Sequence, residues 1–164
     1  MNVDSMLPKP NWQDLIPHAG TMCLLDAVVE HDATRIHAIS ATHARADNPL
    51  RADGRLHAVA LCEYGAQAMA VHGALLARES GSRVRPGYLV SLREVELHVE
   101  HVDDLSGALD VFAEQLLDAG GSLQYAFRVE HRGSVLATGR AAVLCRDKQD
   151  LLADDKTLGP ARAG

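Results

Sequence analysis

One carboxylate stands out in this sequence because it interrupts a long apolar segment. Residues 58–78 contain no proline and consist largely of Ala, Leu and Met, with Glu63, Gln67 and His72 as polar exceptions. Burying an ionised carboxylate among apolar side chains is expensive. We therefore expect desolvation to favour the protonated form of Glu63, which would make a suitable general acid. Gln67 lies one helical turn later and could hold the carboxyl group or a bound water.

Histidine is the side chain best suited to proton transfer near neutral pH, and the chain has nine histidines. His57 directly precedes the apolar segment, and His18 follows a proline near the N-terminus. His98 and His101 are three residues apart in a strand-like stretch, so their side chains face opposite sides of the strand. Because such a pair cannot easily converge on one ion, the sequence predicts no metal site.

Several of these polar side chains also have a structural interpretation. Glu63 could be a structural carboxylate that pairs with an arginine such as Arg85 or Arg93. His18 lies in a Pro-His turn, where an imidazole can tie a loop by hydrogen bonds. His72, on the apolar segment, is expected to meet a neighbouring element or a subunit interface. These alternatives remain open at the level of sequence.

The three cysteines do not suggest redox or metal chemistry. They are odd in number, far apart and without a CxxC pair, which favours reduced thiols in the cytosol. Cys62 adjoins Glu63, but adjacent helical residues diverge by about 100°. We therefore interpret Cys62 as a small core thiol.

The periodicity of the chain predicts the elements that would position Glu63. An antiparallel hairpin is expected over residues 22–42, followed by a helix over 58–78 that is too apolar to be a surface helix. Alternating strands then follow at residues 88–102, 108–117, 122–131 and 134–146. This order predicts an α+β fold, with a curved antiparallel sheet wrapped around one long helix.

Length and composition restrict the class of protein. The 164 residues are 47% hydrophobic and 23% charged, as expected for one globular domain with its own core. We assign residues 1–10 to a loose N-terminal arm, 11–146 to the domain and 147–164 to a disordered tail. A net charge of -6 without a basic stripe argues against nucleic-acid binding. No signal peptide or membrane span is recognisable, which predicts a cytoplasmic protein.

Two stretches resemble the hotdog-fold dehydratases that act on 3-hydroxyacyl groups carried on acyl carrier protein. Residues 15–26 read LIPHAGTMCLLD and resemble the family signature (I/L)PHR…(M/F)LL(V/L)D, with Ala19 in place of the usual arginine. Residues 61–68 read LCEYGAQA and resemble the central-helix motif (I/L)EXXAQ, whose acid is catalytic. With a histidine nine residues after the glutamate, the second motif is most similar to dehydratases of aryl-polyene pigment biosynthesis.

The resemblance implies a fold, a reaction and a set of roles. It implies the hotdog fold and dehydration of a 3-hydroxyacyl thioester to the trans-2-enoyl product, with Glu63 as the acid and no cofactor. The backbone N–H of Ala58, five residues before Glu63, is expected to hold the thioester carbonyl. The expected partners are the acyl carrier protein and a second hotdog subunit, paired edge to edge as a homodimer or heterodimer.

The catalytic base is the unassigned part of this mechanism. The family places a histidine about fourteen residues before the helix acid, in a GHFP segment, whereas this chain has Pro49 there. We assign the adjacent Asn48 to substrate binding. The nearest histidines are His43, His57 and His18. Of these, His57 and His18 are the candidate bases.

Three interpretations of the missing histidine remain open. Another histidine replaces it, a partner subunit supplies the base, or the chain is a non-catalytic subunit that partners an active dehydratase. A hotdog acyl thioesterase, in which the helix carboxylate activates water and releases a free acid, is the alternative activity on the same fold.

Overall fold

A computed structural model describes residues 6–145 of the chain. Seven strands form one sheet in the order β1-β2-β3-β5-β6-β7-β4, and every neighbouring pair is antiparallel. The strands are β1 (Leu7–Pro8), β2 (Ala27–His31), β3 (Arg35–Ser40), β4 (Gly87–Leu97), β5 (Leu109–Asp118), β6 (Ser122–His131) and β7 (Ser134–Cys145). The single long helix, α1, spans Leu61–Glu79 and follows a 3-10 turn at Ala58–Ala60. Sheet and helix confirm the α+β architecture predicted from periodicity.

The N-terminal arm differs from the prediction. Leu7 and Pro8 are not loose but pair with Val28 and Ala27 and form the outermost strand, β1. Proline is tolerated there because an edge strand needs hydrogen bonds on one side only. The predicted tail at residues 147–164 lies outside the described residues.

The helix is buried because the sheet curls around it. Eleven of its 19 residues are buried, and a narrow stripe that includes Glu63, Ala66, Ala70 and Gly73 remains partly exposed. The strands supply alternate residues to this core, as period-two patterning requires. Inward-facing side chains include Ile36, Ala38, Val111, Ala113, Tyr125, Phe127 and Val129. Within residues 6–145, no helix is long and apolar enough to cross a membrane.

A single aromatic ring determines how closely helix and sheet approach each other. Phe127 of β6 lies between Gly65 of α1 and Gly139 of β7. A Cβ atom at Gly65 would stand 2.6 Å from the ring, and one at Gly139 would stand 2.5 Å from it. Both distances are far below van der Waals contact, so the two positions require glycine.

His72, the polar side chain in the second half of the helix, has its hydrogen-bond partners inside the protein. His72 is fully buried, with Nδ1 2.9 Å from the Tyr125 hydroxyl and Nε2 2.9 Å from the carbonyl oxygen of Asp32. Because a carbonyl oxygen only accepts, Nε2 carries the proton that is donated. Burial lowers the pKa of His72 and favours this neutral ring. The expected contact of His72 with a neighbouring element is therefore confirmed.

Two glycines of the same helix should respond in opposite ways to alanine. Gly65→Ala should lower the free energy of unfolding by about 1–3 kcal/mol, because the new methyl group overlaps the Phe127 ring. Gly73 has open space where its Cβ would be, so Gly73→Ala should raise it by about 0.5–1 kcal/mol through helix propensity. Urea unfolding of both variants tests this. Equal effects at the two positions would contradict the close approach of Gly65 to the Phe127 ring.

Candidate active site

The two family-like motifs meet in space at the first turn of α1. His18, from the loop before β2, places Nε2 3.1 Å from Oε1 of Glu63. Gln67, one turn further along the helix, donates from Nε2 to the same Oε1 at 3.0 Å. The side chain of Glu63 is 33% exposed and that of His18 is 27% exposed. A carboxylate and an imidazole are thus in contact at a position that a ligand can reach.

Gln67 connects this pair to the rest of the fold. Its amide is completely buried and also donates from Nε2 to the Met22 carbonyl at 2.8 Å. Its Oε1 accepts the backbone N–H of Leu24 at 2.9 Å. The amide therefore holds the loop that carries His18 against the helix that carries Glu63. The sequence predicts the contact of Gln67 with Glu63, but not its contacts with the loop.

The surroundings of Glu63 differ from the sequence-based expectation. The side chain is partly exposed rather than enclosed by apolar groups, because it projects from the start of the helix towards the His18 loop. Within residues 6–145, its ion-pair partner is His18 and not Arg85 or Arg93. The structural alternative based on an arginine is therefore not what the structure shows.

The predicted carbonyl-binding N–H of Ala58 is already occupied. It donates to the Glu100 carbonyl oxygen at 2.9 Å, so it points into the protein rather than to a substrate. The next residue, Val59, is 56% exposed, and its N–H makes a long contact of 3.3 Å to Nδ1 of His57. The Val59 N–H therefore has a weaker partner than the Ala58 N–H, which is firmly bonded to Glu100.

His57 caps the helix and does not contact Glu63. Its Nδ1 accepts the Val59 N–H, and its backbone pairs with His101 in an isolated bridge. The rings of His57 and His101 meet edge to face with centroids 5.4 Å apart. The structure thus brings His18, but not His57, to the candidate acid.

The segment that stands in place of the GHFP motif is packed against the rest of the protein. Asn48 is buried and donates to the Thr42 carbonyl at 3.0 Å and to the Tyr64 hydroxyl at 2.9 Å. Its Oδ1 accepts the Leu50 N–H at 2.9 Å. Because these bonds engage both ends of the amide, Asn48 anchors its loop to the helix, and its role in substrate binding stays a prediction.

The third nearby histidine is also enclosed. His43 is fully buried, and its Nε2 lies 2.9 Å from the Leu105 carbonyl oxygen. Burial lowers the pKa of His43, which favours a neutral ring with Nε2 as the donor. His43 therefore supports the fold in the region where the sequence lacks the expected histidine.

Sequence reasoning did not identify the residue that organises this loop. Arg51 donates to the carbonyl oxygens of Arg45 and Gly54, each at 2.8 Å, and to that of Ala44 at 3.2 Å. No sequence motif marks this role, because its acceptors are backbone atoms. Among the described residues, no group of three or more His, Cys, Asp or Glu is arranged to hold a metal ion.

A family model, described as ApeP-like and as ApeP dehydratase, matches residues 10–153 of the chain. This range contains both motifs and all the candidate site residues. No curated protein matches the sequence.

Solved structures show the same fold. A chain of the dehydratase heterocomplex ApeI:P from Xenorhabdus doucetiae aligns with a TM-score of 0.78 at 24% identity, covering 87% of this chain and 95% of that one. A putative thioesterase from Shewanella oneidensis aligns with a TM-score of 0.59 at 10% identity, covering 85% and 94%. The conserved protein PA5202 from Pseudomonas aeruginosa aligns with a TM-score of 0.58 at 18% identity, covering 82% and 98%. These likenesses confirm the predicted hotdog fold.

Replacing the amide of Gln67 should destabilise the protein. Gln67→Leu retains the approximate shape but leaves the Leu24 N–H and the Met22 carbonyl without their partner. We expect the free energy of unfolding to fall by about 2–4 kcal/mol, since each unsatisfied buried group costs about 1–3 kcal/mol. Chemical unfolding measures the change. Gln124→Leu, at an exposed position of β6, is the matched control and should change stability by less than about 0.5 kcal/mol. Equal losses in the two variants would contradict the stabilising role of the Gln67 hydrogen bonds.

Proposed function

The chain belongs to the ApeP-like dehydratase family, and from that premise we propose that it dehydrates 3-hydroxyacyl thioesters carried on an acyl carrier protein. The product would be the trans-2-enoyl thioester, made in the cytoplasm during aryl-polyene or fatty-acid-like biosynthesis. The observation that carries the proposal is the contact of 3.1 Å between His18 and Glu63.

This contact fits the chemical requirements of dehydration. A proton must leave C2, the departing 3-hydroxyl must receive a proton, and the thioester carbonyl must be polarised. His18 and Glu63 are both able to hold or transfer protons, and both are partly exposed. Their contact with each other supports proton-transfer chemistry at the start of the helix.

His18 replaces the missing family histidine better than the other candidates do. Nε2 of His18 contacts Glu63, whereas His57 is turned towards Val59 and His101. His43 is completely buried. We therefore assign the catalytic pair to His18 and Glu63 and give His57 the role of a helix cap.

We also reassign the backbone N–H that would bind the thioester carbonyl, from Ala58 to Val59. Val59, Glu63 and Gln67 follow one another at intervals of four residues, which places them on one side of the helix. The Val59 N–H lies at the positive end of the helix dipole and makes only a long contact with the His57 ring, on a residue that is 56% exposed. A rotation of that ring would free this N–H for the thioester oxygen.

The edge of the sheet supports a second hotdog subunit as a partner. Every residue of β4 except Ser91 is exposed, and in the described structure this strand pairs with β7 alone. Six of its exposed side chains are large and apolar, namely Tyr88, Leu89, Val90, Leu92, Val95 and Leu97. A long apolar edge strand with free backbone groups invites pairing with another strand. The similar chain from Xenorhabdus doucetiae comes from a heterocomplex, which favours a heterodimer or homodimer through β4.

Dehydration should depend on the Glu63 carboxylate. With a 3-hydroxyacyl carrier protein as substrate, the wild-type protein should form the enoyl thioester, and Glu63→Gln should lower that rate by about 10²–10⁴-fold. Mass spectrometry follows the enoyl thioester and any free acid. His37→Gln, on the outer face of β3, is a histidine control that should keep the wild-type rate.

Two other results would redirect the assignment. Release of a free acid instead of the enoyl thioester would identify a thioesterase. If neither product forms, the assay is repeated with a second hotdog dehydratase subunit added. Activity that then survives Glu63→Gln would identify this chain as a non-catalytic subunit.

The partner interface should depend on β4. Val90→Lys combined with Leu92→Lys should shift the protein from dimer to monomer, because two charges would have to be buried in the new sheet contact. Size-exclusion chromatography with light scattering gives the mass, alone and with a second hotdog subunit. Leu117→Lys, on an exposed apolar residue of β5, is the matched control and should leave the dimer intact. A dimer that survives the β4 substitutions would move the interface elsewhere.

A further inference from the structure

The hydroxyl group of Tyr64 lies inside the protein, on the residue that directly follows Glu63 in the helix. Tyr64 is fully buried, so its hydroxyl needs partners within the fold. The hydroxyl oxygen lies 2.9 Å from Oγ1 of Thr42 and 2.9 Å from Nδ2 of Asn48. Both partners belong to the segment between β3 and α1, where the sequence lacks the expected histidine. A helix side chain therefore binds the segment that departs from the family motif.

The direction of these hydrogen bonds follows from what each atom can do. The Asn48 amide nitrogen can only donate, so the Tyr64 oxygen accepts from it. Burial raises the pKa of Tyr64, so the hydroxyl keeps its proton at neutral pH. Thr42 Oγ1 is the other partner of this hydroxyl among residues 6–145, and it therefore receives the proton.

Thr42 extends this network to the loop that carries His18. Its Oγ1 donates to the carbonyl oxygen of Leu24 at 2.8 Å, and Ser40 Oγ donates to the same oxygen at 2.6 Å. The N–H of Leu24 donates to Oε1 of Gln67 at 2.9 Å. The backbone of Leu24 is therefore held at its carbonyl by two hydroxyl groups and at its N–H by the buried amide.

A continuous series of hydrogen bonds thus begins at Tyr64 and ends at Glu63. It passes through the Thr42 hydroxyl and the Leu24 backbone to Gln67, whose Nε2 donates to Oε1 of Glu63 at 3.0 Å. The series leaves the helix at Tyr64 and returns to it about one turn later at Gln67. Loop and helix are thereby closed into a ring, so a break at any one link frees the loop to shift.

From this closed series we propose that Tyr64 is a positioning residue of the active site, whose hydroxyl fixes the Leu24 backbone and, through it, Gln67 and Glu63. The inference rests on the proposed dehydratase function. Catalysis is sensitive to such positioning, since a misplacement of about 1 Å can cost about 100-fold in rate. Loss of the hydroxyl should therefore slow the chemical step without weakening the binding of the substrate.

Two tyrosine variants separate positioning from stability. Tyr64→Phe keeps the buried ring but removes both hydrogen bonds of the hydroxyl. Tyr125→Phe is the matched control, because Tyr125 is also buried and its hydroxyl also has two side-chain partners, His72 at 2.9 Å and Gln115 at 3.0 Å. His72 lies nine residues after Glu63, which is roughly 13 Å along the helix.

Both variants should melt at a lower temperature, but only one should lose catalysis. With a 3-hydroxyacyl carrier protein as substrate, Tyr64→Phe should lower kcat by about 10- to 100-fold with little change in KM. Tyr125→Phe should retain the wild-type kcat. The rates are measured at a temperature at which circular dichroism shows both variants fully folded. Equal kcat values in the two variants, or a change in KM alone, would overturn the proposal.

A pair of variants at Thr42 tests the next link of the series. Thr42→Val removes the hydroxyl that joins Tyr64 to the Leu24 carbonyl, whereas Thr42→Ser keeps it. Thr42→Val should lower kcat as Tyr64→Phe does, and Thr42→Ser should restore most of the loss. A wild-type kcat in Thr42→Val, or equal losses in both Thr42 variants, would contradict the role assigned to the series.

Hydrogen exchange tests the same link without a substrate. In Tyr64→Phe, the Leu24 N–H should exchange about tenfold faster relative to the N–H of Val71, a buried helix residue that reports global stability. In Tyr125→Phe this ratio should be unchanged. An unchanged ratio in Tyr64→Phe would also overturn the proposal.

The two levels of inference can fail separately. If the wild-type protein forms no enoyl thioester, even with a second hotdog subunit, the proposed function fails, and hydrogen exchange still decides whether Tyr64 holds the Leu24 backbone. If the wild-type protein is active and the two tyrosine variants behave alike, only the present inference fails.

Discussion

The buried amide of Gln67 joins two parts of the molecule that are distant in sequence, the loop before β2 and the first turns of α1. It holds the Met22 carbonyl and the Leu24 N–H of one loop and, at the same time, the carboxylate of Glu63 on its own helix. Because a planar amide directs its donors and acceptor at fixed angles, these contacts are coupled to one another. This coupling supports the approach of His18 to Glu63, because it ties the loop that carries His18 to the helix that carries Glu63.

The packing of helix against sheet supports that arrangement. Gly65 lets the helix approach the Phe127 ring, and Gly139 leaves space on the opposite side of the same ring. The core is therefore tight where the helix starts, which restricts the movement of Glu63 relative to the sheet. Further along the helix, the His72 ring is hydrogen-bonded to Tyr125 and to the Asp32 carbonyl. This polar side chain is therefore part of the fold.

The site could be predicted in part because some of its contacts are local. The interval between Glu63 and Gln67 is one helical turn, so a helix prediction is enough to bring them together. The contacts that the sequence did not predict involve distant partners. The Ala58 N–H is taken by the carbonyl of Glu100, more than forty residues later, and Asn48 by the hydroxyl of Tyr64 on the packed helix. Neither partner is visible from the local pattern.

The sequence by itself determined the α+β architecture, the buried helix with its three polar exceptions, and the resemblance that identified the candidate acid. These properties follow from periodicity, composition and short motifs, which act over neighbouring residues. The tertiary structure decided that His18 rather than His57 meets Glu63, that the Ala58 N–H donates to Glu100, and that β4 is left as an apolar edge. Such choices depend on which distant donors and acceptors satisfy each other once the chain is packed, because a buried polar group takes whichever partner the fold brings within reach.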